Sequence, residues 1–76
     1  MDIQAKIGAR IKDLRSTKNL TQEAVAWGAD IDRTFMNHVE NGKRNLSIKS
    51  LEKIVVNGLQ TSMKEFFNDT TFNGKK

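Results

Sequence analysis

Apolar positions recur at helical spacing along the whole chain. Ile3, Ile7, Ile11 and Leu14 form one stripe on a first helix, which Asp2 is placed to cap. Leu20-Thr21 breaks that pattern. Thr21 caps a short second helix from Gln22 to about Trp27, with Val25 and Ala26 inward and Glu23 in the first turn, where the helix dipole favours an anion. Gly28-Ala29-Asp30-Ile31 reads as a tight connection. Asp32 caps a third helix from Arg33 to about Glu40, with Met36 and Val39 on its inner face. Asn41-Gly42 is a stop signal, because glycine takes the left-handed conformation readily after a helix. Lys43-Arg44-Asn45-Leu46 is a basic loop, and Ser47 caps a fourth helix with Ile48, Leu51, Ile54 and Val55 on one side. Asn57-Gly58 ends or breaks that helix. Ser62 and Glu65 fit a capping box opening a last short helix with Met63, Phe66 and Phe67. The expected core runs from about residue 3 to 67, and the polar tail 68–76 is expected to fray.

Size sharpens this picture. The chain has 76 residues, of which 37% are hydrophobic, so residues 1–76 form one domain with one small core. It contains no cysteine, which removes disulfides and thiolate chemistry. The longest apolar run is Ala24-Val25-Ala26-Trp27, too short for a membrane span or a signal-peptide core. The expected location is the cytoplasm, with no membrane partner.

Charge is informative through its distribution. The net value is +4. Residues 1–20 are basic through Lys6, Arg10, Lys12, Arg15 and Lys18, and residues 43–53 through Lys43, Arg44, Lys49 and Lys53. Between them, Glu23, Asp30, Asp32 and Glu40 make an acidic middle. If DNA is the partner, the flanks hold phosphates and the middle must approach the duplex by some other chemistry.

The second and third helices supply that chemistry. Two short helices joined by a tight turn are the outline of a helix-turn-helix, whose second helix enters the major groove. With Met36 and Val39 inward, the opposite side of the third helix shows Arg33, Thr34, Asn37, His38 and Asn41. Arginine can bond guanine in bidentate fashion, threonine can meet a base edge or a thymine methyl, and asparagine can bond adenine or phosphate. An enzyme is not expected: His38 is the lone histidine and no glycine-rich phosphate loop occurs. Asp30-x-Asp32 lacks the rest of a calcium loop, so no metal or cofactor is implied.

Four stretches together resemble a known family. They are Arg10-Ile11-Lys12-Asp13-Leu14-Arg15, Leu20-Thr21-Gln22-Glu23, Ile31-Asp32-Arg33-Thr34-Phe35 and Val39-Glu40-Asn41-Gly42-Lys43-Arg44. They are similar to the lambda-repressor-like helix-turn-helix domains of the Cro/CI and XRE type. The text around Asp32-Arg33-Thr34-Phe35 and Lys43-Arg44-Asn45-Leu46 most resembles the controller proteins of restriction-modification systems. The resemblance implies an all-α, five-helix fold and a homodimer bound to palindromic, inverted-repeat operators in double-stranded DNA. By position it implies base reading by Arg33, Thr34 and His38. It implies phosphate contacts from Gln22, Asn37, Asn41, Lys43 and Arg44, and an internal salt bridge between Arg15 and Glu40. RNA polymerase is a further implied partner of a transcription regulator.

The chain departs from the family pattern at Leu46, where many members have proline, at the outward Trp27, and at Asp30 in the turn. One extra residue falls around Val55-Val56-Asn57. Leu59, Met63, Phe66 and Phe67 are the candidate dimer interface, with one of the two phenylalanines expected in the core. An antitoxin or interaction module of the same fold, and a phage-type repressor, are the alternative functions.

Overall fold

The computed structural model describes residues 2–73. Each helix starts where a short polar side chain takes up an amide of the first turn. The helices are α1 (Ile3–Thr17), α2 (Gln22–Ala29), α3 (Arg33–Glu40), α4 (Ile48–Glu52) and α5 (Met63–Phe67). Asp2, Thr21, Asp32, Ser47 and Ser62 accept from the amides of Ala5, Ala24, Thr34, Ser50 and Glu65 at 2.8–3.0 Å. Such caps are worth about 1 kcal/mol each. The caps fall at the five positions expected from sequence, and the fold is all-α.

The helix ends close by a shared device. Asn19, Asp30 and Gly42 have φ of 59°, 58° and 73°, the left-handed conformation that turns a chain out of a helix. After α3, the amide of Lys43 bonds His38 O at 2.9 Å and that of Gly42 bonds Val39 O at 3.1 Å, the paired bonds of a Schellman motif. Asp30 does the same after α2. That helix therefore runs two residues beyond Trp27, and Gly28-Ala29, expected in the connection, are helical.

The chain beyond α4 differs from a simple helix end. Lys53–Gly58 winds as a π-helix, with the amide of Leu59 bonded to Ile54 O at 2.8 Å. The wider π turn takes in one more residue than an α turn. This segment crosses α2 at close range. A Cβ on Gly28 would stand 2.9 Å from Asn57 O, and one on Gly58 would stand 2.8 Å from Val25 O. Two glycines therefore let the backbones meet.

Ile11, Val25, Met36, Val39, Ile54, Val55, Leu59 and Phe66 are sealed in one core. Several expectations change here. Ile3 and Ile48 point outward, 58% and 83% exposed, because each opens its helix beyond the last turn that reaches the core. Leu59 and Phe66 are wholly buried, so they offer no dimer surface, whereas Met63 is half-buried and Phe67 is exposed. The tail is not frayed over residues 68–73. A 3-10 turn, Thr70–Phe72, lays Phe72 beside Phe66 and Phe67, with ring centroids 5.9 and 4.9 Å away. The remaining tail residues, 74–76, lie outside the described residues. Among the described residues, no helix is long and apolar enough to cross a membrane.

Candidate nucleic-acid interface

α2, the turn Asp30–Asp32 and α3 form a helix-turn-helix. Met36, Val39 and Glu40 face inward, which fixes the rotation of α3 and leaves Arg33, Thr34, Asn37 and His38 exposed on its other side. Arg33, Thr34 and Asn37 line a shallow polar depression together with Gln22 from α2. His38 and Asn41 continue the exposed face towards the helix end, and Lys43 and Arg44 follow in the loop. The residues expected to read bases and those expected to hold phosphates are thus brought onto neighbouring stretches of α2, α3 and the loop.

A chain of side-chain bonds braces this face. The Arg15 guanidinium donates to Glu40 through Nε–Oε2 at 2.6 Å and Nη2–Oε1 at 3.0 Å, and through Nη1 to Leu20 O at 2.9 Å. Gln22 Nε2 donates to the same Glu40 Oε1 at 3.0 Å. Asn37 Nδ2 donates to Gln22 Oε1 at 3.4 Å, and Asn41 Nδ2 to Asn37 Oδ1 at 3.2 Å. Gln22, Asn37 and Asn41 are therefore tied to one another and to a buried carboxylate. Each amide nitrogen carries two hydrogens and uses one here, so each keeps a donor suited to a phosphate or a base acceptor.

The basic segments divide by role. Arg10 and Arg15 have their donors taken inside the protein. Arg10 Nε bonds Phe66 O at 2.8 Å, Nη2 bonds Glu65 O at 3.0 Å, and Nη1 lies 3.4 Å from Asp69 Oδ1. The charge of residues 1–20 is thus partly committed to clamping the C-terminal segment, which the sequence pattern did not indicate. Arg33, Lys43 and Arg44 remain exposed on or next to α3. The acidic middle is also partly neutralised: Asp32 caps α3 and Glu40 is paired with Arg15. Phe35 was not singled out as a site residue, yet the Arg44 guanidinium carbon lies 5.0 Å from its ring centroid. The available signal was an aromatic residue two places after Arg33 and followed in the next loop by a lone arginine.

Comparison with known proteins agrees with this geometry. A helix-turn-helix domain model matches residues 6–56. The control protein C.MunI of Mycoplasma sp is 45% identical over 69 residues, covering 90% of this chain and 92% of that protein. The restriction-modification controller protein C.AhdI from Aeromonas hydrophila superposes with a TM-score of 0.77 at 34% identity, over 84% of this chain and 96% of its own. C.Esp1396I, crystallised as a tetramer in complex with its natural 35 base-pair operator, superposes with a TM-score of 0.82 at 40% identity, over 88% of each chain. Identity to wild-type C.Esp1396I is 40%, rising to 42% when one tyrosine there is phenylalanine and falling to 38% when an arginine is alanine. The chain belongs to the helix-turn-helix family, among the controller proteins of restriction-modification systems.

Proposed function

We propose that this chain is a sequence-specific DNA-binding transcriptional regulator, a restriction-modification controller that binds an inverted-repeat operator as a homodimer. The observation that carries it is the outward face of α3, where Arg33, Thr34 and His38 stand exposed while Met36, Val39 and Glu40 hold the helix from behind. A relative of the same fold has been crystallised on its own operator. Arg33, Thr34 and His38 read base edges in the major groove. Gln22, Asn37, Asn41, Lys43 and Arg44 hold phosphates on either side. The chain acts as a regulator and not as an enzyme, and RNA polymerase is the partner through which it changes transcription.

A dimer matches the symmetry of such an operator, with half-sites one helical turn, about 34 Å, apart. The second copy docks on apolar surface that the core leaves uncovered. Ile3 and Ile48 rim a groove that also includes Ile7, Leu46 and Leu51. This groove adjoins the Arg44–Ser47 loop. Met63 and Phe67 are the second candidate surface.

Selection from a random double-stranded DNA library, followed by sequencing, tests the reading. A short inverted repeat is the expected product. Binding without enrichment reduces the chain to a non-specific DNA binder, and no binding returns the fold to an interaction module with a protein partner.

A further inference from the structure

Phe35 and Arg44 come from different segments. Phe35 is the third residue of α3, its ring half-buried against the core. Arg44 lies in the loop that follows, exposed, with its guanidinium over that ring at 5.0 Å. This distance lies within the range where a cation is drawn to the electron-rich face of an aromatic ring.

The mode of attachment decides what Arg44 can still do. Arg10 and Arg15 are held through their N–H edges, which carbonyl and carboxylate oxygens occupy. Arg44 sits over a ring, and among the described residues no carbonyl or carboxylate oxygen takes its donors. An aromatic ring offers no carbonyl or carboxylate oxygen, so this contact restrains the group while leaving its five donors for an anion. An arginine on an irregular loop otherwise samples many rotamers and gives up that freedom on binding.

We propose that Phe35 is a positioning residue for DNA binding: its ring holds the Arg44 guanidinium beside the α3 face, so that the loop presents a pre-set cation to a phosphate next to the bases read by α3. This rests on the DNA-binding reading above. It adds a role for an apolar side chain that is itself no phosphate contact.

The test compares Phe35→Leu, Phe35→Tyr, Arg44→Ala and the Phe35→Leu/Arg44→Ala pair. Binding to a mixed-sequence DNA duplex is measured over a range of salt, with thermal melting as the fold control. Phe35→Leu keeps an apolar filler and removes the ring; affinity should fall about two- to fivefold. Phe35→Tyr keeps the ring and should bind at least as well as the parent. Arg44→Ala should lower the salt slope by about one unit. In the Arg44→Ala background, Phe35→Leu should have no further effect. Parental affinity in Phe35→Leu, or its full loss persisting without Arg44, overturns the proposal. If Arg44→Ala changes neither affinity nor slope, the proposal also falls, and Lys43→Ala in the same assay shows whether the DNA-binding reading survives. Should Phe35→Leu fail to fold, NMR of the parent chain decides. Side-chain protons of Arg44 shifted upfield by the ring support the contact, and random-coil shifts overturn it.

Discussion

Arg15 and Glu40 join the last turn of α1 to the last residue of α3 by two nearly parallel hydrogen bonds, Nε–Oε2 at 2.6 Å and Nη2–Oε1 at 3.0 Å. The Glu40 side chain is 1% exposed and Gln22 donates to it as well. The pair therefore fixes α3 against α1 and, through Gln22, against α2. Removing the cation leaves a carboxylate buried with one remaining side-chain donor. Arg15→Ala should destabilise the domain by about 3 kcal/mol, measured by urea unfolding. Replacing both residues with apolar ones, as in Arg15→Met with Glu40→Leu, should recover most of that loss. If the double variant is no more stable than Arg15→Ala, the penalty does not come from the orphaned carboxylate.

The crossing of α2 with the π-helix makes a second expectation. A methyl group at position 58 would meet Val25 O and Val25 Cγ1, both at 2.8 Å. The carbonyl belongs to a helix backbone and cannot swing aside, so the helices must separate. Gly58→Ala should lower stability by about 1–3 kcal/mol, although alanine is the better helix former. Denaturant midpoints for the two chains decide the sign, and a stabilised variant would show that the crossing relaxes freely.

The sequence made the five helices legible because their signals are local. Asp2, Thr21, Asp32, Ser47 and Ser62 cap where a short polar residue precedes an apolar-periodic stretch. The outward face of α3 was legible too, since Met36 and Val39 set its rotation. What escaped depends on contacts between distant residues. Arg10 resembled any other cation of the first helix, yet its bonds run to residues more than fifty positions away. Leu59 looked like spare apolar surface because nothing local shows that the π-helical turn before it carries it into the core. Gly28 signalled a break, whereas its missing side chain serves a backbone contact with Asn57.

Strong acid should loosen the C-terminal segment. The Thr71 hydroxyl and amide, and the Arg10 guanidinium beyond them, hold the Asp69 carboxyl below its ordinary value of 3.8. A carboxylate with a lowered pKa adds stability above its unfolded value, and that contribution is lost as pH falls through the folded value. The loss therefore lies below pH 3.8. Asp69→Asn should flatten the fall of melting temperature with pH in that window. Identical profiles for parent and variant would assign the acid sensitivity elsewhere.

The dimer surface can be located by charge insertion. Ile48 is 83% exposed at the first position of α4, where an added aspartate disturbs no core contact and suits the helix N-terminus. Ile48→Asp should give monomers by analytical ultracentrifugation and retain the parental fold. Phe67→Asp should leave the association intact while weakening the edge-on packing with Phe66 and Phe72, whose ring centroids lie 5.0 and 4.9 Å away. The reverse pattern would move the interface to the Met63–Phe67 surface.

Base reading and phosphate holding should separate cleanly at Arg33 and Lys43. Both are exposed cations, but Arg33 opens α3 beside Thr34 and Asn37 while Lys43 closes the Schellman turn behind it. A bidentate contact with one base loses specificity when cut, so Arg33→Ala should cost about 1–3 kcal/mol on the selected operator and relax preference at one base pair. A phosphate contact is blind to sequence. Lys43→Ala should weaken every duplex alike and reduce the salt slope by about one unit, with the base preferences of the parent retained. Repeating the library selection with each variant distinguishes the two outcomes. If Arg33→Ala keeps the full sequence preference and loses slope instead, Arg33 is a phosphate ligand, and Thr34 and His38 must carry the readout from this face of α3.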